Sequence, residues 1–250
     1  MTPALRTERL SKRWGSFAAV SDVGLVLEPG ARHALIGPNG AGKTTLINLL
    51  SGALAPTDGD VWLHGERVTR LPQHARVKRG LARTFQINTL FPALTPLEAI
   101  VLAICERKGV AARWHRTVAS MRDEIDEART ILASLRLERD ADTPTAQLAY
   151  GRQRLLEIGL ALATRPKLLL LDEPAAGIPT SESADLFEVI ARLPADVTIL
   201  FIEHDMDLVF RFAARITVLV GGRILTEGTP AEIAADPRVK EVYLGEAQHG

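Results

Sequence analysis

A chain of 250 residues with 46% hydrophobic content can bury a sizeable core, as one compact body or a body with a subdomain, and this excludes an intrinsically disordered protein. Its 30 Lys and Arg are balanced by 30 Asp and Glu, and a net charge of zero argues against a dedicated nucleic-acid binder. The one cysteine, Cys105, excludes an internal disulfide and fits a reducing compartment.

The opening residues hold no apolar signal core, and apolar runs such as residues 99–105 fall far short of the ~20 residues that span a bilayer, so a membrane role is expected to come through a partner. The first predicted elements are strands. Val23, Leu25 and Leu27 alternate ahead of a Pro29-Gly30 turn, and residues 31–37 (ARHALIG) have the short apolar pattern of a buried strand. Residues 43–52 (KTTLINLLSG) are helix formers closed by a glycine, and Val61 to Val68 reads as a hairpin. From about 88 to 163 the pattern turns helical. Val118, Met121, Ile125, Ala128, Leu132 and Leu135 recur at spacings of 3 and 4, one apolar stripe of a helix packed on its neighbours. Another helix is predicted to begin near Tyr150. After Pro166 two apolar runs end in polar residues, LLLLDEP and TILFIEHD, and ITVLVGGRILTEG has the form of a hairpin with a glycine turn. Strands alternating with helices predict a mostly parallel sheet covered on both sides.

Residues 37–44, GPNGAGKT, fit the phosphate-loop pattern G-x-x-x-x-G-K-[ST]. Gly37, Gly40 and Gly42, with Pro38, Asn39 and Ala41 between them, let backbone N–H groups curl around a phosphate where a Cβ would collide. The next helix points its positive end at the anion. Lys43 brings a full charge to the β- and γ-phosphates, the Thr44 hydroxyl ligates Mg²⁺, and Thr45 completes the set.

LLLLDEP ends a buried strand in Asp172 and Glu173. Strand carboxyl ends face the ligand crevice of an open α/β sheet, and adjacent residues there point in different directions. Asp172 is assigned to Mg²⁺ and Glu173 to polarising the attacking water. His204 ends a further strand and is read as bonding the γ-phosphate and the water-positioning glutamate. Gln86, where the first body gives way to the helical segment, carries an amide that can touch Mg²⁺ or the water.

In this order these elements resemble an ATP-binding-cassette (ABC) ATPase over nearly all 250 residues. GPNGAGKTT looks like its Walker A, Gln86 its Q-loop, LLLLDEP its Walker B and His204 its switch histidine. The resemblance implies an α/β fold: a P-loop NTPase (RecA-like) core with an antiparallel β subdomain and an inserted α-helical subdomain. Residues 1–87 and 164–250 would form the nucleotide-binding core and 88–163 the helical subdomain. LAYGR takes the place of the family's L-S-G-G-Q signature, which presents a helix start to the γ-phosphate of ATP held by a second subunit. Ala149, Tyr150, Gly151, Arg152 and Gln153 are therefore expected to make this contact in trans. Ala149 lacks the serine hydroxyl and Tyr150 replaces a glycine; Arg152 with Gln153 brings extra donors, and Arg152 is expected to compensate. Pro179 departs from the Asp or Asn usual after G-[LI] in the loop beyond Walker B. Trp14 occupies the position of the aromatic that stacks on adenine.

YG in the signature, DEPAAGI after Walker B and the ending EGTPAEIAADPRVKEVYLGE resemble ATPases of branched-chain and related hydrophobic amino-acid importers. The implied protein hydrolyses ATP with Mg²⁺, pairs with a second ATPase subunit (the same chain or a homologue), and works with integral-membrane permease subunits and, indirectly, a solute-binding protein. It would be cytoplasmic, peripheral on the inner face of the cell membrane, with no nucleic-acid partner. The ATPase of lipopolysaccharide export shares a YLGE-type ending, but LAYGR and DEPAAG argue against it. A non-transport ABC ATPase usually has tandem cassettes or a basic surface, and neither is present.

Overall fold

The computed structural model describes residues 2–84, 90–110 and 121–246. In chain order it contains β1 (Leu5–Trp14), β2 (Phe17–Val23), β3 (Val26–Leu27), β4 (Arg32–Ile36), α1 (Lys43–Ser51), β5 (Asp58–Leu63), β6 (Glu66–Arg67), α2 (Gln73–Val77) and β7 (Leu81–Arg83). Then come α3 (Pro96–Arg107), α4 (Arg122–Ser134), α5 (Tyr150–Ala163), β8 (Leu168–Asp172), α6 (Thr180–Ala191), β9 (Thr198–Ile202), α7 (Met206–Phe212), β10 (Arg215–Val220), β11 (Arg223–Gly228), α8 (Pro230–Ala235) and α9 (Pro237–Glu246). Packing divides the chain into two units: Met1–Arg83, Lys167–Pro174 and Ala195–Gly250 form one, Thr84–Pro166 and Ala175–Pro194 the other. Here the structure departs from the division read from the sequence. Residues 175–194, with α6, were expected in the nucleotide core, but α6 packs against α5 in the second unit.

The first unit holds two sheets. One is antiparallel, ordered β2-β1-β5-β6, with β3 pairing β1. The other is ordered β11-β10-β4-β9-β8-β7 and is parallel except for the β10–β11 hairpin. Every residue of β8 and β9 is buried, as continuous apolar strands of a covered parallel sheet should be. Val23, Leu25 and Leu27 are buried too. The β10–β11 turn is made by Gly221 and Gly222, both with positive φ, the backbone a two-residue hairpin turn demands. Helix α1 closes as predicted, with the Gly52 N–H on the Leu49 carbonyl.

One residue with no sequence signal finishes that closure. Arg76 of α2 is 1% exposed, and its guanidinium donates to the carbonyls of Leu49 (2.8 Å), Leu50 (2.7 Å), Thr69 (3.0 Å) and Leu71 (3.1 Å). It satisfies carbonyls that the end of α1 leaves open, and burial lowers its pKa to about 10.

The second unit packs α3, α4 and α5 together. A capping box between Thr95 and Glu98 starts α3. The stripe on α4 is buried at Ala128, Leu132 and Leu135, with Met121 and Ile125 half-buried; Val118 lies outside the described residues. At Gly159 of α5 a Cβ would lie 3.0 Å from Leu135 and 3.1 Å from Ile100, so the three helices meet there closely. Arg107 grips Glu127 with two 2.8 Å bonds while Arg165 adds a third at 2.9 Å. These arginine bonds, that of Arg107 first, hold the Glu127 carboxyl down to about 2.

Arg76→Met should destabilise the protein by about 3 kcal/mol in urea unfolding, since it strands several buried carbonyls. Arg76→Lys should recover less than half of this, because one ammonium cannot reproduce the planar fork. Wild-type stability in Arg76→Met would show that α1 closes without it.

Candidate active site

The phosphate loop joins β4 to α1. Gly42 is the N-cap of α1 at φ 101°, and a Cβ there would strike the Ala19 carbonyl oxygen of β2. Only glycine allows that approach. On its other side the loop is tied to the β10–β11 turn, where the Gly222 N–H donates to the Ala41 carbonyl at 2.9 Å. Gly40 also has a positive φ and faces open space. Lys43 is buried, and its ammonium donates to the carbonyls of Gly37 (2.6 Å) and Pro38 (3.0 Å), so it lies folded against its own loop.

A cavity of about 320 Å³ is lined by the loop from Asn39 to Thr45, by Trp14 and Phe17, and by Glu173 and His204. The structure thus brings together residues from four widely separated stretches. Trp14 and Phe17 are cross-strand partners at the β1–β2 turn and both rings are exposed. The Lys12 ammonium lies 5.5 Å from the Trp14 ring centre. Phe17 was missed by sequence reasoning; the W-G-S-F spacing, read as a hairpin, would have paired it with Trp14.

Asp172 and Glu173 diverge as expected. Glu173 has a φ of 50°, a left-handed conformation that costs a non-glycine residue about 1–3 kcal/mol. The turn carries its side chain to His204, whose Nε2 lies 2.8 Å from Glu173 Oε1. His204 is itself held just ahead of α7, where the Asp205 carboxylate caps the N–H groups of Asp207 and Leu208. Asp172 instead stays buried. Its Oδ2 accepts from Arg83 at 2.8 Å, and among the described residues its Oδ1 has no hydrogen-bond partner. An orphaned buried carboxylate oxygen suits a hard cation or its water shell. Among the described residues no cluster of three His, Cys, Asp or Glu could hold a metal unaided. The Asp172 carboxylate oxygen and the Thr44 hydroxyl are of the hard-oxygen kind that Mg²⁺ takes when phosphates and water complete its shell. Gln86, the third expected ligand, lies outside the described residues.

In the second unit α5 begins at Tyr150, with Ala149 as an N-cap that makes no side-chain bond. The extra donors after it are occupied within the unit. Arg152 donates to the Arg136 carbonyl and lies 3.6 Å from Asp140, while the Gln153 amide reaches the carbonyls of Leu148 (3.0 Å) and Thr145 (3.3 Å). Tyr150 has a packing partner: a Cβ on Gly177 would lie 3.1 Å from its ring. Its hydroxyl accepts from Arg154 at 2.7 Å, and Arg154 pairs with Glu157 at 2.9 Å. Burial pushes the Glu157 carboxyl up, against the pull of Arg154. Pro179 is the N-cap of α6, and its carbonyl accepts from the N–H groups of Glu182 and Ser183.

A family model described as ABC transporter matches residues 20–176, more than half of the chain. The chain belongs to the ABC transporter ATPase family. A second model, the branched-chain amino acid ATP-binding cassette transporter, matches residues 223–249. The high-affinity branched-chain amino acid transport ATP-binding protein BraF of Pseudomonas aeruginosa is 40% identical over 98% of this chain and 99% of its own length. LivG of Escherichia coli K12, which carries the same description, is similar to the same extent. A crystal structure of a nucleotide-free ATP-binding cassette from an ABC transporter superposes with a TM-score of 0.83 at 31% identity, covering 96% of this chain and 98% of that one. An ATP-binding cassette in its ADP conformation gives the same score and identity over 98% and 100%. The α/β architecture expected of a P-loop ATPase is thereby established, and no helix of the described residues is long and apolar enough to cross a membrane.

Trp14→Ala should weaken ATP binding by about 1–3 kcal/mol in calorimetry, the range for stacking a base on an aromatic ring. An unaltered affinity would make Trp14 a packing residue. For Arg152, bonded within its own unit, the expected loss in Arg152→Ala is about 0.5–1.5 kcal/mol of stability with ATP-driven pairing of chains unchanged. A pairing defect in analytical ultracentrifugation would restore Arg152 as a compensating donor in trans.

Proposed function

We propose that this chain is the ATP-hydrolysing subunit of an importer for branched-chain or related hydrophobic amino acids. The observation that carries the hydrolytic reading is the 2.8 Å bond between Glu173 and His204 in the cavity lined by the phosphate loop. The import reading is supported by the 40% identity to BraF and LivG over nearly the whole chain, together with the C-terminal match to the branched-chain model.

In this reading the loop from Gly37 to Thr45 wraps the phosphates. Its N–H groups and the start of α1 attract the anion, and Lys43 leaves the Gly37 and Pro38 carbonyls to meet the β- and γ-phosphates. Trp14 stacks on the adenine. Thr44, Asp172 and Gln86 would hold Mg²⁺, which when bound neutralises charge on the phosphates. Glu173 takes a proton from the attacking water; His204 orients the glutamate through Nε2 and also contacts the γ-phosphate. Because water is the nucleophile, the products are ADP and inorganic phosphate.

The residues 149–153 at the start of α5 belong to the neighbouring subunit's site in this reading, with the helix end rather than the Arg152 side chain supplying the positive field. A second ATPase subunit is thus needed, either a copy of this chain or a homologue. Closure on ATP and reopening after hydrolysis move integral-membrane permease subunits on the cytoplasmic face of the membrane, and these receive solute from a binding protein.

Glu173→Gln should leave ATP binding nearly intact and reduce turnover by about 10²–10⁴, the scale for losing a positioned general base. Near wild-type steady-state hydrolysis would remove Glu173 from the role. In cells, the same variant should abolish uptake of labelled leucine, isoleucine or valine; unchanged uptake of all three would overturn the import reading while leaving the ATPase reading intact.

A further inference from the structure

The Asp172 carboxylate is held by a residue that the hydrolytic reading does not use. Arg83 is the last residue of β7, paired in parallel register with Leu170 of β8, two residues ahead of Asp172. Both side chains are removed from water, with 8% of Arg83 and 1% of Asp172 exposed. One end of the guanidinium donates to Asp172 Oδ2 at 2.8 Å. Another donates to Asn48 Oδ1 at 2.6 Å, with Ser51 Oγ at 3.4 Å. Asn48 and Ser51 belong to α1, the helix that begins in the phosphate loop. The guanidinium therefore braces the acid at the end of β8 against the helix that leaves the phosphate loop.

The way the carboxylate is shared gives this brace its meaning. Arg83 engages one oxygen only, and Oδ1 is left buried with no hydrogen-bond partner among the described residues. We infer that Arg83 is a positioning residue that fixes the Asp172 carboxylate so that Oδ1 is presented to a divalent cation. The inference rests on the reading of Asp172 as a magnesium ligand. Arginine suits the task because its planar fork serves two acceptors in a fixed geometry, which a lysine ammonium cannot do. Groups that orient a ligand in this manner typically change metal affinity by about 10–100-fold when removed.

A different role predicts the opposite sign. A guanidinium that merely offset the Asp172 charge would repel an incoming cation, and its removal would tighten cation binding. Positioning and charge compensation therefore separate in a binding measurement that needs no turnover.

The test uses the full chain saturated with ADP, with Mn²⁺ as the probe read by electron paramagnetic resonance and metal-free ADP affinity read by calorimetry. Asp172→Asn should weaken Mn²⁺ binding, and Arg83→Met should weaken it about tenfold with metal-free ADP affinity within about twofold of wild type. Arg83→Met added to Asp172→Asn should cause no further loss, since the arginine acts only through that carboxylate. Arg83→Lys should fall between wild type and Arg83→Met. Mn²⁺ affinity equal to or tighter than wild type in a folded Arg83→Met variant would overturn the inference, as would losses that multiply in the double variant. Should Arg83→Met not fold, Asn48→Ala and Arg83→Lys decide the matter: weaker Mn²⁺ binding in both supports positioning, and wild-type affinity in either overturns it. Unchanged Mn²⁺ affinity in Asp172→Asn would overturn the metal reading and this inference with it; a loss in Asp172→Asn without one in Arg83→Met would overturn this inference alone.

Discussion

In the mixed sheet Leu35 of β4 lies opposite Ile202 of β9, and Ile202 lies opposite Asp172 of β8. Because these strands run parallel, their carboxyl ends finish at a common level, and the segments leaving them emerge at the same edge of the sheet. The phosphate loop comes after β4, Glu173 after β8 and His204 after β9. A one-residue slip of β8 would exchange its two faces, taking Asp172 away from Arg83 and Glu173 away from His204. The register is secured by strands buried on both faces, so apolar packing of Leu168 to Leu171 and Ile199 to Ile202 sets the position of charged groups that themselves contribute little to the core. The strained backbone at Glu173 is tolerable on the same ground, with its N–H fixed to the Ile202 carbonyl at 3.1 Å.

What could be read from the sequence is what is local. The phosphate loop declares itself because its glycines, lysine and threonine stand within one short stretch, and the strand-end acids because an apolar run stops at them. Trp14 is picked out by its position in the family pattern, and the structure places it on the cavity. Arg83 and Arg76 gave no signal. An isolated arginine in a sequence reads as a solvated charge, and the partners that bury these two lie as far away as Asp172 and Leu49. The grouping of residues 175–194 with the helical unit has no local signal for a related reason. Alternation of strand and helix suggests one continuous body, whereas α6 packs against α5.

The unusual signature segment takes on a different character once its contacts are known. Tyr150 in place of a glycine is matched by Gly177, a residue small enough to receive the ring, and the hydroxyl is bonded to an arginine that is itself paired with Glu157. The start of α5 and the loop between β8 and α6 are thus packed as one piece in the second unit. A bulky side chain at Gly177 would be opposed twice, by the ring and by the positive φ of the backbone. The departure at Tyr150 is thus received by a glycine of the loop beyond Walker B.

The division of the chain has a bearing on how the protein forms as it leaves the ribosome. Strand β4 is flanked by β9 and β10, which are made only near the end of synthesis, so the nascent polypeptide carries an apolar strand with both edges open for most of its emergence. The helices α3, α4 and α5, by contrast, lie close in sequence and can associate early. The nucleotide-binding sheet is therefore the late-forming part, exposed meanwhile to mispairing and to chaperones that recognise extended apolar segments. A truncated chain ending before Thr198 would lack both neighbours of β4 and could not assemble the edge on which the phosphate loop, Glu173 and His204 meet.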